Sequence, residues 1–79
     1  MHARIYVTLK KGVHDPQGEA VRHGLAGMGY KEVLDVRVGK MIEVKLGEIS
    51  REEAEKRLAE MSEKLLANTV IESYRIELL

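Results

Sequence analysis

The sequence predicts an α+β domain of order β-α-β-β-α-β, with a four-stranded antiparallel sheet and two helices on one of its faces. Three observations carry this. Apolar residues alternate with a period of two near the start, in the middle and at the end of the chain. The two segments between open with helix-start signals and continue with apolar residues at spacings of three and four. Gly39-Lys40 interrupts the central alternation where a tight turn would split it into a hairpin.

From Ala3 to Lys10, residues Ala3, Ile5, Val7 and Leu9 fall on one side and Arg4, Tyr6, Thr8 and Lys10 on the other, as in a half-buried strand. Asp15-Pro16 then starts a helix, because Asp15 can accept an orphan backbone N–H and Pro16 suits a first helical position that needs no donor. Val21, Leu25 and Met28 form its apolar stripe, beside a small-residue strip of Ala20, Gly24 and Gly27. Each interior glycine costs a helix about 1 kcal/mol relative to alanine, so the strip points to a closely packed neighbour. Gly29 is a left-handed stop. Residues Val33 to Leu46 alternate again, with Leu34, Val36 and Val38, then Ile42, Val44 and Leu46, expected to face the helices. Ser50-Arg51-Glu52-Glu53 matches a reciprocal capping box. The stripe of Ala54, Leu58, Met61 and Leu65 follows, with Glu52–Lys56, Glu53–Arg57 and Glu60–Lys64 as i,i+4 pairs on the wet side. Asn68 ends the second helix, and Ile71 to Leu79 reads as a last strand with Tyr74, Ile76 and Leu78 on one face. This is the split βαβ, or ferredoxin-like, plan.

The 79 residues allow one domain, 1–79, with no linker or repeat. A hydrophobic fraction of 44% with 33% charge excludes a disordered chain, and no apolar run is long enough for a membrane span. No secretory signal pattern is visible, which predicts a cytoplasmic location. Thirteen basic residues balance thirteen acidic ones, so no net field would gather nucleic acid or anionic lipid. Without cysteine there is no disulfide, thiolate nucleophile or thiolate metal site. A domain this small buries only about 60% of its unfolded surface. With no Phe or Trp to enlarge the core, a self-association surface is expected. On the open sheet face, Tyr6 and Met41 are candidates for the centre of such a contact, ringed by charged residues.

Catalytic signatures fail one by one. Gly39-Lys40 lacks the earlier glycine and the following Ser or Thr of a phosphate loop, and Gly24, Gly27 and Gly29 close a helix instead of opening one. Ser50 is a cap rather than a nucleophile, and Glu19 with His23 reads as an exposed pair rather than a metal site, since no third ligand is evident. His14 stands alone in a loop. One polar constellation remains: Lys10, Lys11 and His14 after the first strand, Asp15 to Gly18 at the helix start, and Arg37, Gly39 and Lys40 at the expected hairpin. Basic groups beside a helix start could recognise an anion or an acidic patch on a partner, or could be scattered solubilising charge.

The residues Tyr6-Val7-Thr8-Leu9-Lys10-Lys11-Gly12-Val13-His14-Asp15-Pro16-Gln17-Gly18 carry a resemblance. So do Asp35-Val36-Arg37-Val38-Gly39-Lys40, Leu65-Leu66-Ala67-Asn68 and Val70-Ile71-Glu72. The chain resembles PurS, the small-subunit family of phosphoribosylformylglycinamidine synthase in de novo purine synthesis. Thr69 stands where the resemblance leads one to expect proline. The resemblance implies a subunit without catalytic residues, metal or cofactor of its own. It would bridge a glutaminase subunit and a synthetase subunit, usually as a homodimer or tetramer, and help ammonia pass between them. ATP, magnesium and glutamine would be used by the whole complex. Lys10, Lys11, Asp15, Gln17, Arg37 and Lys40 are then the expected partner contacts, with Asp15 the more structural of them. Two other classes share the element order: an amino-acid-binding regulatory domain, and an RNA-binding module, for which only Tyr6 is a suitably placed aromatic.

Overall fold

A computed structural model describes residues 1–79. Three strands form one antiparallel sheet: β1 (His2–Leu9), β2 (Lys40–Lys45) and β3 (Glu72–Leu78), in the order β2-β1-β3. The first strand is therefore central, and its Ala3, Ile5 and Val7 are buried while Arg4, Tyr6 and Thr8 point to the other face. The register sets Tyr6 between Met41 and Arg75, and Ile5 between Ile42 and Ile76.

Helix α2 (Arg51–Met61) covers one half of the apolar sheet face, packing against β3 and burying Ala54 and Leu58 completely. Full burial of an aliphatic side chain such as Ile5 or Leu58 contributes roughly 1.5–3 kcal/mol. The Ser50 hydroxyl caps the helix by accepting the Glu53 N–H at 3.1 Å. The expected reciprocal bond is not made, because the Glu53 carboxylate instead accepts from Arg57 at 2.9 Å. That ion pair holds the Glu53 carboxyl below its usual range. Of the expected wet-face pairs this one forms, joined by Arg51–Glu55 at 3.5 Å. The helix then widens into a π turn over Ser62–Leu66, in which Ala67 N–H reaches back to Ser62 C=O. The extra residue rotates the stripe. Ser62, Leu66 and Ala67 turn inward, while Leu65, expected on the stripe, is 83% exposed. The buried Ser62 hydroxyl is satisfied by donating to Leu58 C=O at 2.8 Å.

Helix α1 (Pro16–Gly27) begins as the sequence predicts, and its chain leaves through Gly29 at φ +100°. Its placement differs from the expectation. Val21 and Met28 of its stripe are exposed, and nothing lies near Gly24 or Gly27. The helix projects from the sheet, and residues 33–38 return beside it, so the two form an arm whose ends meet at Asp15.

The expected four-stranded sheet covered by two helices is thus corrected to three strands with one covering helix. The Gly39-Lys40 turn does not form a hairpin. The chain passes straight through it into β2, with Lys40 opposite Val7 and Gly39 against the Val7 carbonyl. The Val38 N–H is taken by the Asp15 carboxylate, and Leu34, expected in the core, is 88% exposed. Alternation specifies an extended segment with two unlike faces; it does not name the strand that pairs with it.

The resulting shape is long and thin, 49 × 25 × 14 Å, with a radius of gyration of 15.9 Å where a compact chain of this length has about 12 Å. Its accessible surface of 5879 Å² exceeds the roughly 4,800 Å² usual for this mass.

Candidate functional site

The polar residues singled out in the sequence gather where β1 ends, α1 begins and the arm re-enters the sheet. Asp15 is the hinge of this region. As N-cap it accepts the Gly18 N–H at 2.9 Å through Oδ1, and through Oδ2 it accepts the Val38 N–H at 2.7 Å. The side chain is 5% exposed. The Gly18 bond first, then the Val38 bond, keep its carboxyl below the usual aspartate range, outweighing the opposite effect of burial; the Arg37 charge acts in the same direction.

Glycine is required at position 18 because the arm passes directly over it. A Cβ there would lie 2.0 Å from the Val36 carbonyl oxygen. The sequence places this residue at the helix start without marking it as a close approach, although a glycine three positions after an N-cap aspartate, where a good helix former would be stabilising, is a signal of one.

Around this hinge, Arg37 Nη2 donates to Lys10 C=O at 3.1 Å, and the same carbonyl accepts Val13 N–H at 3.0 Å, which fixes the turn after β1. Lys10, Lys11, Gln17, Arg37 and Lys40 are all exposed, and His14 lies exposed among them. Two open hollows flank Thr8 and Leu9. One, of about 220 Å³, sets Lys40 against Asp15 and Glu72; the other, of about 360 Å³, sets Lys11 and Arg37 against Asp35. Each mixes both signs of charge, so the surface suits a polar protein partner better than a phosphate group. Thr8, Asp35 and Glu72 were missed in the sequence because only the sheet register and the return of the arm bring them here.

Elsewhere Glu19 pairs with Arg22 and with His23 at 3.1 Å, and Arg22 holds the Glu19 carboxyl below its usual range. No three His, Asp or Glu side chains come together as a metal site. On the open sheet face Arg75 stacks over Tyr6 at 4.2 Å from the ring centre, and the Tyr6 hydroxyl donates to Glu77 at 3.1 Å. Met41 beside it is 47% exposed.

The family model described as PurS, phosphoribosylformylglycinamidine (FGAM) synthase, matches residues 2–79. The chain belongs to the PurS family. It is similar to the phosphoribosylformylglycinamidine synthase subunit PurS of Bacillus subtilis, 54% identical over 74 residues, covering 94% of this chain and 87% of that one. Among solved structures it resembles Methanocaldococcus jannaschii PurS, with 37% identity, a TM-score of 0.86 and coverage of 96% and 92% of the two chains. It also resembles a chain in the structure of PurLQS from Thermotoga maritima, with 29% identity, a TM-score of 0.89 and coverage of 99% and 95%. As a PurS subunit of FGAM synthase, the chain is part of purine biosynthesis. No helix is long and apolar enough to cross a membrane.

Proposed function

We propose that this chain is a non-catalytic PurS subunit that joins a glutaminase subunit to an ATP-dependent synthetase subunit. In that assembly the glutaminase frees ammonia from glutamine. The synthetase, using ATP and magnesium, phosphorylates the glycinamide carbonyl oxygen of formylglycinamide ribonucleotide, and ammonia displaces that oxygen as phosphate to give the amidine, the formyl group being retained. Ammonia released into bulk water is diluted and protonated, so the transfer depends on two active sites held in a fixed relation. A rigid adaptor supplies that relation without reacting.

The observation that carries this reading is the convergence of Lys10, Lys11, Gln17, Arg37 and Lys40, from three separate segments, on one exposed surface fixed by the buried Asp15 carboxylate. These residues are the proposed contacts for the partner subunits, and Asp15 is their support. The chain is also proposed to associate with copies of itself in a cytoplasmic complex. Two uncovered surfaces are available for that contact: the open sheet face around Tyr6 and Met41, and the apolar row along β2 with the arm.

The test compares glutamine-supported with ammonia-supported synthesis by the purified subunits. Omitting this chain is expected to abolish the glutamine-supported reaction and leave ammonia-supported turnover largely intact. Unchanged glutamine-supported turnover in its absence would refute the bridging role.

A further inference from the structure

We propose that the turn of residues 68–71 leading into β3 is the apolar anchor of the partner contact, with Val70 and the nearby Leu65 seated in an aliphatic socket, rimmed by carboxylates, on a partner subunit. The proposal rests on the bridging reading and names the surface that holds the partner.

Three large aliphatic side chains are bare in this one short stretch: Leu65 is 83%, Val70 81% and Ile71 40% exposed. Single exposed apolar residues are ordinary on a protein surface, whereas a cluster of them marks a contact. The turn that carries Val70 and Ile71 is held from within. Asn68 C=O accepts the N–H groups of Ile71 at 3.0 Å and Glu72 at 2.7 Å, Asn68 Oδ1 accepts Val70 N–H at 3.2 Å, and Glu72 Oε1 accepts Asn68 N–H at 2.7 Å. With those donors spent inside the turn, a partner meets chiefly the apolar side chains, on a backbone that loses little further freedom when it docks.

The turn adjoins the polar surface described above. Lys10 N–H donates to Ile71 C=O at 2.8 Å, and Glu72 lines the hollow that holds Lys40. An apolar centre beside a charged rim is the usual anatomy of a subunit interface. The charges indicate what the partner brings. Glu72 is engaged with Asn68 N–H, Glu63 with the Tyr74 hydroxyl at 3.0 Å, and Asp15 with Gly18 and Val38. Lys10, Lys11, Lys40 and Lys64 form no ion pair, which leaves them for acidic groups of the partner. A second copy offers no such socket, because its two hollows are lined mostly by polar residues and glycine.

To test this, the glutaminase and synthetase subunits are titrated with the chain. Sedimentation velocity reads the assembly, and the chain concentration at half-maximal glutamine-supported turnover reads the affinity. Val70→Ala removes two carbons from the socket and is expected to raise that concentration about tenfold. Val70→Glu, which sets a carboxylate against the acidic rim, is expected to raise it by about a hundredfold, and Val70→Lys by less. The urea midpoint and the mass of the isolated chain are expected to stay unchanged in all three, since Val70 is bare in the single chain. Unaltered half-maximal concentrations, or a loss with Val70→Lys equal to that with Val70→Glu, would overturn the anchor and leave the bridging role standing. A changed mass of the isolated chain would assign the turn to a contact between copies and overturn the anchor likewise. A wild-type chain that joins neither subunit would overturn the bridging reading and the anchor with it.

Discussion

Replacing Gly18 by alanine tests whether the arm is held against the helix start. In an ordinary helix position the change would stabilise by up to about 1 kcal/mol, because glycine surrenders more backbone freedom than alanine. Here the new methyl carbon would sit 2.0 Å from the Val36 carbonyl oxygen and 2.9 Å from Asp15 Oδ2. A carbon needs about 3.3 Å from such an oxygen, so the arm must retreat by about 1.3 Å. The Asp15–Val38 bond is 2.7 Å long, and a retreat of that size takes it out of hydrogen-bond range. Overpacking of this kind typically costs about 1–3 kcal/mol, which outweighs the helix gain at the upper end and at least cancels it at the lower. Urea unfolding at fixed chain concentration reads the stability, and amide exchange at Val38 reads the bond. The expected result is a lower unfolding midpoint with Val38 protection lost. A raised midpoint with Val38 still protected would refute the contact.

Three further outcomes follow from the same geometry. Leu58→Ala, at a position with no exposure beneath the sheet, is expected to cost about 2–5 kcal/mol in urea unfolding; a loss below 1 kcal/mol would mean that α2 is not the element covering the sheet. The carboxyl of Asp15 titrates below the ordinary aspartate value of about 3.9, so its stabilising contribution is complete above that pH and is lost as pH falls through the lower folded value. The Val38 amide resonance should accordingly stay constant from neutral pH to about pH 5 and move only below about pH 4, a transition that Asp15→Asn removes; constancy down to pH 2 would contradict the assignment. Arg37→Ala combined with Lys40→Ala is expected to lower glutamine-supported synthesis severalfold while sparing the ammonia-supported reaction. Equal loss of both would refute the proposed docking role of these side chains.

The sequence was most informative where the physics is local. Asp15 with Pro16, and Ser50 three residues before Glu53, start helices by satisfying nearby N–H groups, and both caps are present. The alternation of Ala3, Ile5 and Val7 against Arg4, Tyr6 and Thr8 translated directly into a strand with one buried face, and Tyr74, Ile76 and Leu78 did the same for β3. Lys10, Lys11, Arg37 and Lys40 could be collected as one candidate surface from charge, the helix start and an expected hairpin at Gly39-Lys40 that does not form. The support of the proposed docking surface was half visible: Asp15 was legible as a cap, but its second bond reaches across 23 residues to Val38, and no local pattern encodes it.

Errors arose where a local signal needed a distant partner. Leu34, Val36 and Val38 carry the alternation of a strand, and Gly39-Lys40 carries the composition of a turn, yet backbone pairing is settled by which groups are free when segments meet. Val38's N–H was already taken by a carboxylate. Leu65 failed for a related reason, since a π turn adds one residue and rotates every later side chain, a choice made by what Ser62 and Ala67 could bury. By itself the sequence determined the caps, the extended segments, the aliphatic core of β1 and the family. Only the tertiary structure decided the strand count, the projection of α1 and the apolar row it leaves bare, because hydrogen-bond saturation and burial depend on segments that are far apart along the chain.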